Sequence, residues 1–277
     1  MTMAPLPDPF ITQLAAARGD CRVPVGAQAS AEVFARELLA LLFPHFATER
    51  RCAVDEVRAD AARALEQVRL FVASEPSAAS GAVTIVDRFA ERLPSVYDAL
   101  LEDARATYDA DPAARSIDEV IVAYPGFFAL ACYRFAHELW VLEVALLPRL
   151  VTEFAHGVTG IDIHPGAVLG HAISIDHGTG IVIGETAIVG NRVRFYQGVT
   201  LGALSVKKSA THTRRHPTIE DDVILYANAA ILGGRTVVGA RSVIGGNVWL
   251  THSVSPDSIV TAIPNFEPRP GVGHDRP

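Results

Sequence analysis

The chain has 277 residues, 49% of them hydrophobic and 20% charged, and a net charge of -7. That balance excludes a disordered chain, and the acidic excess argues against a generic nucleic-acid binder. The longest apolar stretch, Trp140 to Leu150, is interrupted by Glu143, Pro148 and Arg149, so no segment is long enough to span a bilayer.

The N-terminus has neither the basic start nor the unbroken apolar run of a signal peptide, and a soluble cytoplasmic protein is expected. Residues 1–28 are expected to be poorly ordered. Residues 30–47 place Val33, Leu38, Leu39, Leu41 and Leu42 among alanines and charges. Residues 54–74 space Val57, Ala61, Ala64, Leu65, Val68 and Phe71 by threes and fours. Both patterns predict amphipathic helices. Helices are also predicted over 82–108 and 116–123, with Pro94 and Asp111-Pro112 as punctuation. Ser116 followed by Glu119 reads as a capping box. After Tyr124-Pro125-Gly126 an apolar helix is predicted from Phe127 to Trp140, and a further one leads to His156. Cys21, Cys52 and Cys132 lie far apart and form no CxxC pattern, so neither a disulfide framework nor a zinc cluster is expected. Residues 1–157 therefore form an expected helical domain, with 14 Arg, no Lys and 22 acids.

At Gly157 the pattern changes. Counting in sixes gives Ile163, Leu169, Ile175, Ile181, Ala187, Val193 and Val199, all aliphatic. Three positions after each stand Gly166, Ala172, Gly178, Gly184, Gly190, Tyr196 and Gly202, mostly small. A second set runs Ile219, Leu225, Ile231, Val237, Val243 and Trp249. Val199 and Ile219 are 20 apart, so a loop is inserted over 203–218. A period of six fits a triangular coil with one inward aliphatic per side and small residues at the corners. The fold class is α+β: an N-terminal helical domain, then a parallel β-helix over 158–263, then a tail over 264–277.

This repeat resembles that of the hexapeptide-repeat acyltransferases, which fold as left-handed parallel β-helices. The segments Asp162-Ile163-His164-Pro165, Asp176-His177-Gly178-Thr179-Gly180, Gly184-Glu185-Thr186, Gln197 to Gly202 and Arg215-His216-Pro217 narrow it. In this order and spacing they resemble serine O-acetyltransferase, as do Asp111-Pro112, Gly126-Phe127 and Tyr133-Arg134 upstream. Gly202-Ala203-Leu204-Ser205 departs from the Gly-Gly start that many members have in this loop. The resemblance implies an acetyl-CoA donor, an L-serine acceptor, O-acetyl-L-serine as product and a place at the entry to cysteine synthesis.

A serine hydroxyl is a poor nucleophile at neutral pH, while a thioester is already activated, so a general base is the minimum machinery. The match to the family's catalytic segment makes His177 that base, two residues past inward-facing Ile175 and therefore pointing outward. Asp162, 15 residues earlier, is its expected orienting partner. Asp176 and Asp111 are candidates for the substrate ammonium. Arg215 suits the carboxylate, and His216 stands ready to hydrogen-bond it or assist the base. The resemblance has these groups converge between neighbouring subunits, and it implies a homotrimer or a dimer of trimers. Residues 203–218 carry four cations and no acid, including the chain's only lysines, Lys207 and Lys208. That loop is a candidate attractor for the phosphates of CoA. By resemblance Ala203, Ala227 and Gly245 line the pantetheine arm.

No metal is expected: His164, His171 and His177 fall on different sides of the triangle, unlike the converging zinc histidines of a γ-class carbonic anhydrase. The resemblance also suggests L-cysteine as a feedback inhibitor. Many members dock cysteine synthase through a C-terminal isoleucine; this sequence ends Gly273-His274-Asp275-Arg276-Pro277, so that docking is not expected. Competing readings are an O-acetyltransferase for homoserine or a sugar, and a non-catalytic trimeric scaffold.

Overall fold

The computed structural model describes residues 6–21, 23–74, 81–204 and 213–262. The helices are α1 (Asp8–Asp20), α2 (Ala27–Leu42), α3 (Val54–Ser74), α4 (Ala82–Ala110), α5 (Ile117–Ala123), α6 (Pro125–Val141) and α7 (Leu147–Thr159). Residues 8–20 thus form a helix, though none of its residues is buried. α2 buries Ala31, Phe34, Ala35, Leu38 and Leu39 at helical spacing, and α3 answers with Ala64, Val68, Phe71 and Val72. α4 runs straight past Pro94, where the sequence predicts a break. Pro94 is exposed, so the carbonyl deprived of its partner is on the wet side of the helix. The Ser116 hydroxyl accepts the Glu119 amide at 3.0 Å and starts α5. The helical half extends to Thr159, two residues past the predicted boundary, and ends on Gly160 in the left-handed conformation.

Fourteen short strands follow among the described residues, all paired in parallel in three sheets. Sheet A stacks β1 (Asp162–Ile163), β4 (Val182–Ile183), β7 (Thr200–Gly202), β10 (Ala230–Leu232) and β13 (Trp249–Leu250). Sheet B stacks β2 (Val168–Leu169), β5 (Ile188–Val189), β8 (Thr218–Ile219) and β11 (Val237–Val238). Sheet C stacks β3 (Ser174–Ile175), β6 (Arg194–Phe195), β9 (Ile224–Leu225), β12 (Val243–Ile244) and β14 (Ile259–Val260). The result is a triangular left-handed prism with corners A/B, B/C and C/A.

The strict count of six is corrected in two places. From the first coil to the second the register is Asp162 to Val182 and Ser174 to Arg194, two residues longer than three hexads. The surplus sits in the C/A corner between Ile175 and Val182. The strand residues facing inward after it are Ile183, Val189, Phe195 and Leu201, while Ile181, Ala187, Val193 and Val199 lie at the preceding corners, buried as well. A single extra residue at Gly233 shifts the last turns again. Val238, Ile244 and Leu250 point inward, and Trp249, predicted inside, is 70% exposed.

The helical half closes the first coil. Ala129, Leu130 and Tyr133 of α6 belong to the same core as Ile161, Ile163, Ile173 and Ile175. α6 comes so close that a Cβ on Gly126 would lie 2.5 Å from the Ile175 carbonyl oxygen. The Tyr133 hydroxyl donates to the Ala167 carbonyl at 2.7 Å and accepts the Leu169 amide at 3.1 Å. Buried Arg134 spans Asp103 of α4 and the Gly170 carbonyl, and Asp103 also accepts the Ile173 amide. The two halves are therefore joined by a buried, fully partnered ion pair rather than by apolar contact alone.

Candidate active site

The longer C/A corner is where His177 stands. It takes φ 58°, followed by Gly178 at 81° and Gly180 at 83°. The left-handed backbone at Gly178, with Ile161 and Ile175 packed against the position of a Cβ, favours glycine beneath the corner. The imidazole is pushed outward, with 71% of the side chain exposed, and its Nδ1 lies 3.7 Å from the Asp176 carboxylate.

Asp111 reaches the same place from the end of α4. Its carboxylate accepts the Tyr124 hydroxyl at 2.6 Å and the Ala113 amide at 2.8 Å. Those two bonds, with a smaller contribution from His177, hold its carboxyl below the usual range. The same bond pushes the Tyr124 phenol up to about 12. A cleft between α4 and the coil is lined by Asp111, Tyr124, Ser174, Asp176, Arg194 and Tyr196. One edge of the prism thus carries a histidine, two acids at its flank and one arginine.

Asp162 is on the outer face of β1. Its carboxylate gathers with Glu153 and His156 of α7, ligand atoms all within 4.8 Å of one another. Among the described residues no ion pair joins Asp162 to His177; the acid beside His177 is Asp176.

Arg215 and His216 occupy the A/B corner, with sheet A between them and His177. The Thr186 hydroxyl accepts their backbone amides at 2.9 and 3.1 Å. The Thr186 amide donates to His216 Nδ1 at 3.0 Å, which leaves the ring proton on Nε2. His216 covers Gly184 so closely that a Cβ there would meet its Nε2 at 2.1 Å. Burial, then Arg215, lowers the His216 pKa. Arg215 pairs with Glu185. His164 lies at this corner too, edge-on to Trp140 at 5.2 Å, and burial brings it down to about 4. His164, His171 and His177 fall at three different corners and do not converge within one chain.

Ala227 and Gly245 lie on the edge of His177, on later coils. The Gly198, Asn228 and Asn247 amides donate to the Thr179, Gln197 and Ala227 carbonyls, stacking this corner coil on coil. Tyr196 and Tyr226 stack along the same edge with centroids 5.0 Å apart. Ala203 follows β7 at the A/B corner. Lys207 and Lys208 lie outside the described residues. The sequence reading missed Tyr124 and Arg194: a tyrosine before a proline and a lone arginine on a strand belong to no motif.

No protein-family model matches the chain. It is 48% identical over 197 residues to the plasmid serine acetyltransferase of Synechococcus elongatus, covering 68% of this chain and 61% of that protein, less than two thirds of its length. It is 45% identical over 165 residues to serine acetyltransferase of Bacillus subtilis, covering 60% of this chain and 74% of that one. Its fold superposes on Entamoeba histolytica serine acetyltransferase 1 in complex with L-cysteine with a TM-score of 0.77 and 34% identity, covering 82% of this chain and 86% of that one.

Proposed function

This chain belongs to the serine acetyltransferase family, and we propose that it transfers the acetyl group of acetyl-CoA to the hydroxyl of L-serine, giving O-acetyl-L-serine and CoA. The observation that carries this reading is the placement of Asp111 and Asp176 on one cleft with His177 at its rim, 3.7 Å from Asp176, from parts of the chain 65 residues apart. His177 takes the hydroxyl proton as the oxygen attacks the thioester carbonyl, and the tetrahedral intermediate collapses to release the CoA thiolate. Asp111 and Asp176 receive the ammonium. Asp111 suits this because the bond from Tyr124 orients its carboxylate and lowers its pKa further.

The orienting carboxylate of His177 is open to two residues. Asp162 is the choice carried by the family's motif, and Asp176 is the acid the geometry sets at 3.7 Å. Acetyl-CoA runs up the C/A edge past Ala227 and Gly245. The loop holding Ala203, Lys207 and Lys208 leaves from the A/B corner, so the phosphates are taken by that loop of a neighbouring copy.

Arg215 and His216 are one prism face away from His177, so they complete a site only when a neighbouring copy brings its A/B corner to this chain's C/A edge. A homotrimer supplies that arrangement, and the helical half could pair two trimers. L-cysteine differs from serine by one atom and would compete for the same groups. The likeness to a relative solved with L-cysteine supports this.

The test is CoA thiol release from acetyl-CoA with L-serine, homoserine, a galactoside and no acceptor in parallel. Serine-dependent release is expected, and His177→Ala should lower it by about 10²- to 10⁴-fold with the circular dichroism unchanged. Release with homoserine or the galactoside in preference to serine would move the acceptor assignment, and none with any acceptor would leave the scaffold reading.

A further inference from the structure

Glu153 and His156 stand three residues apart near the end of α7, on one face of the helix. The chain turns at Gly160, and Asp162 opens β1 beside them, so that one ligand atom from each residue lies within 4.8 Å of the other two. His156 Nδ1 and Glu153 Oε2 are 3.4 Å apart. Two ligands on one tetrahedral zinc ion, each bound at about 2.0–2.2 Å, stand about 3.3–3.6 Å apart. Glu-x-x-His is also the spacing by which a helix offers two ligands to one metal in carboxylate-rich helical sites. The other Glu153 oxygen, Oε1, is held by Arg149 one turn earlier, the kind of outer partner that fixes a ligating carboxylate. Asp162 is half-buried, and its carboxylate has no hydrogen bond or ion pair among the described residues. Both acids sit at the C-terminal end of a helix, where the aligned peptide dipoles already favour a cation.

From this cluster we infer that Glu153, His156 and Asp162 form a binding site for a first-row divalent cation of the zinc type, with coordination left open to water. One nitrogen with carboxylate oxygens suits zinc or cobalt better than magnesium or calcium, which take oxygen alone. The site touches the acetyl-transfer machinery only through Asp162, the acid that the family's motif assigns to His177. A bound cation ties up that carboxylate and deprives His177 of it, so the cation acts as an inhibitor. The inhibition rests on the acetyl-transfer reading above; the binding does not.

The test is titration of the full chain with cobalt(II), followed by its visible absorbance, and equilibrium dialysis with zinc for the stoichiometry. One ion per chain is expected, and zinc should displace cobalt where magnesium and calcium do not. His156→Ala and Glu153→Gln should each weaken binding by about tenfold or more. Cys21→Ser with Cys52→Ser, which removes the exposed thiols, should leave it unchanged. In parallel, zinc should slow serine-dependent consumption of acetyl-CoA, read as loss of thioester absorbance. The Glu153→Gln, His156→Ala double variant should keep wild-type activity in a chelator and lose the sensitivity to zinc. The proposal is overturned if the wild type binds no ion, if His156→Ala binds as tightly, or if the thiol variant abolishes binding. Zinc held through His156 without slowing turnover would overturn the inhibitory role. Protein that consumes no acetyl-CoA with serine, yet binds one ion through His156, would overturn the acceptor assignment and leave the metal site standing.

Discussion

A hydrogen bond from Tyr124 holds the Asp111 carboxylate in place. The hydroxyl donates to the carboxylate at 2.6 Å, which lowers the acid and raises the phenol. Tyr124→Phe removes the donor and leaves the ring. Asp111 should then titrate at higher pH. NMR of the Asp111 carboxyl should read that upward shift directly, and KM for serine should rise as the carboxylate loses the bond that holds it in place. An unchanged KM for serine, with the carboxyl shifted, would show that Asp111 does not bind the ammonium. This detail was not legible in the sequence, where Tyr124 is one residue of a turn. The pairing of Asp111 with Asp176 was no more legible by spacing, since only the folded coil brings α4 to the corner; the family resemblance pointed to it. The motif's choice of Asp162 as partner meets a geometry that sets Asp176 nearest His177 instead.

Among the helices, α6 approaches the coil closely enough to demand a glycine. Gly126 faces the Ile175 backbone, and a Cβ would lie 2.5 Å from its carbonyl oxygen. Alanine is normally the better helix former by about 1 kcal/mol, but here the neighbour is main chain and cannot swing away. Gly126→Val should destabilise the protein by about 1–3 kcal/mol, read as a lower midpoint in thermal or urea unfolding. An unchanged midpoint would mean the helix shifts freely on the coil. The strands show why the hexad count found the architecture but misread its phase. Through the first two coils the corners have buried apolar residues at two alternate positions, such as Ile181 and Ile183. A window that slips by two therefore still lands on an apolar residue. The slip by one after Ile231 was marked by Trp249, which is too large for the axis of so narrow a coil and faces out. The helices were read more closely because their buried faces span many turns, and Pro94 misled because a proline on a wet face does not end a helix.

For the molecule as a whole, the separation of His177 from Arg215 and His216 by sheet A is what supports the proposal of an active site shared between copies. Two inactive variants should then rescue each other. His177→Ala mixed with an Arg215→Ala, His216→Ala double variant, unfolded and refolded together, should regain about a quarter of wild-type activity by random distribution around a three-fold ring. No recovery, with mixed trimers demonstrated by mass, would place both halves of the site within one chain.

The seal that α6 makes on the first coil gives the solenoid a direction. The helices precede the coil in the sequence, so the lid is synthesised first and each later turn has a finished surface to dock on. A nascent chain paused anywhere in the repeat exposes the rim of a single turn, three strands wide, rather than a sheet open at both ends. Such a polarity keeps the aggregation-prone edge small throughout synthesis. It also makes the distal turns the place where coils could be added or removed without disturbing the corner that carries His177.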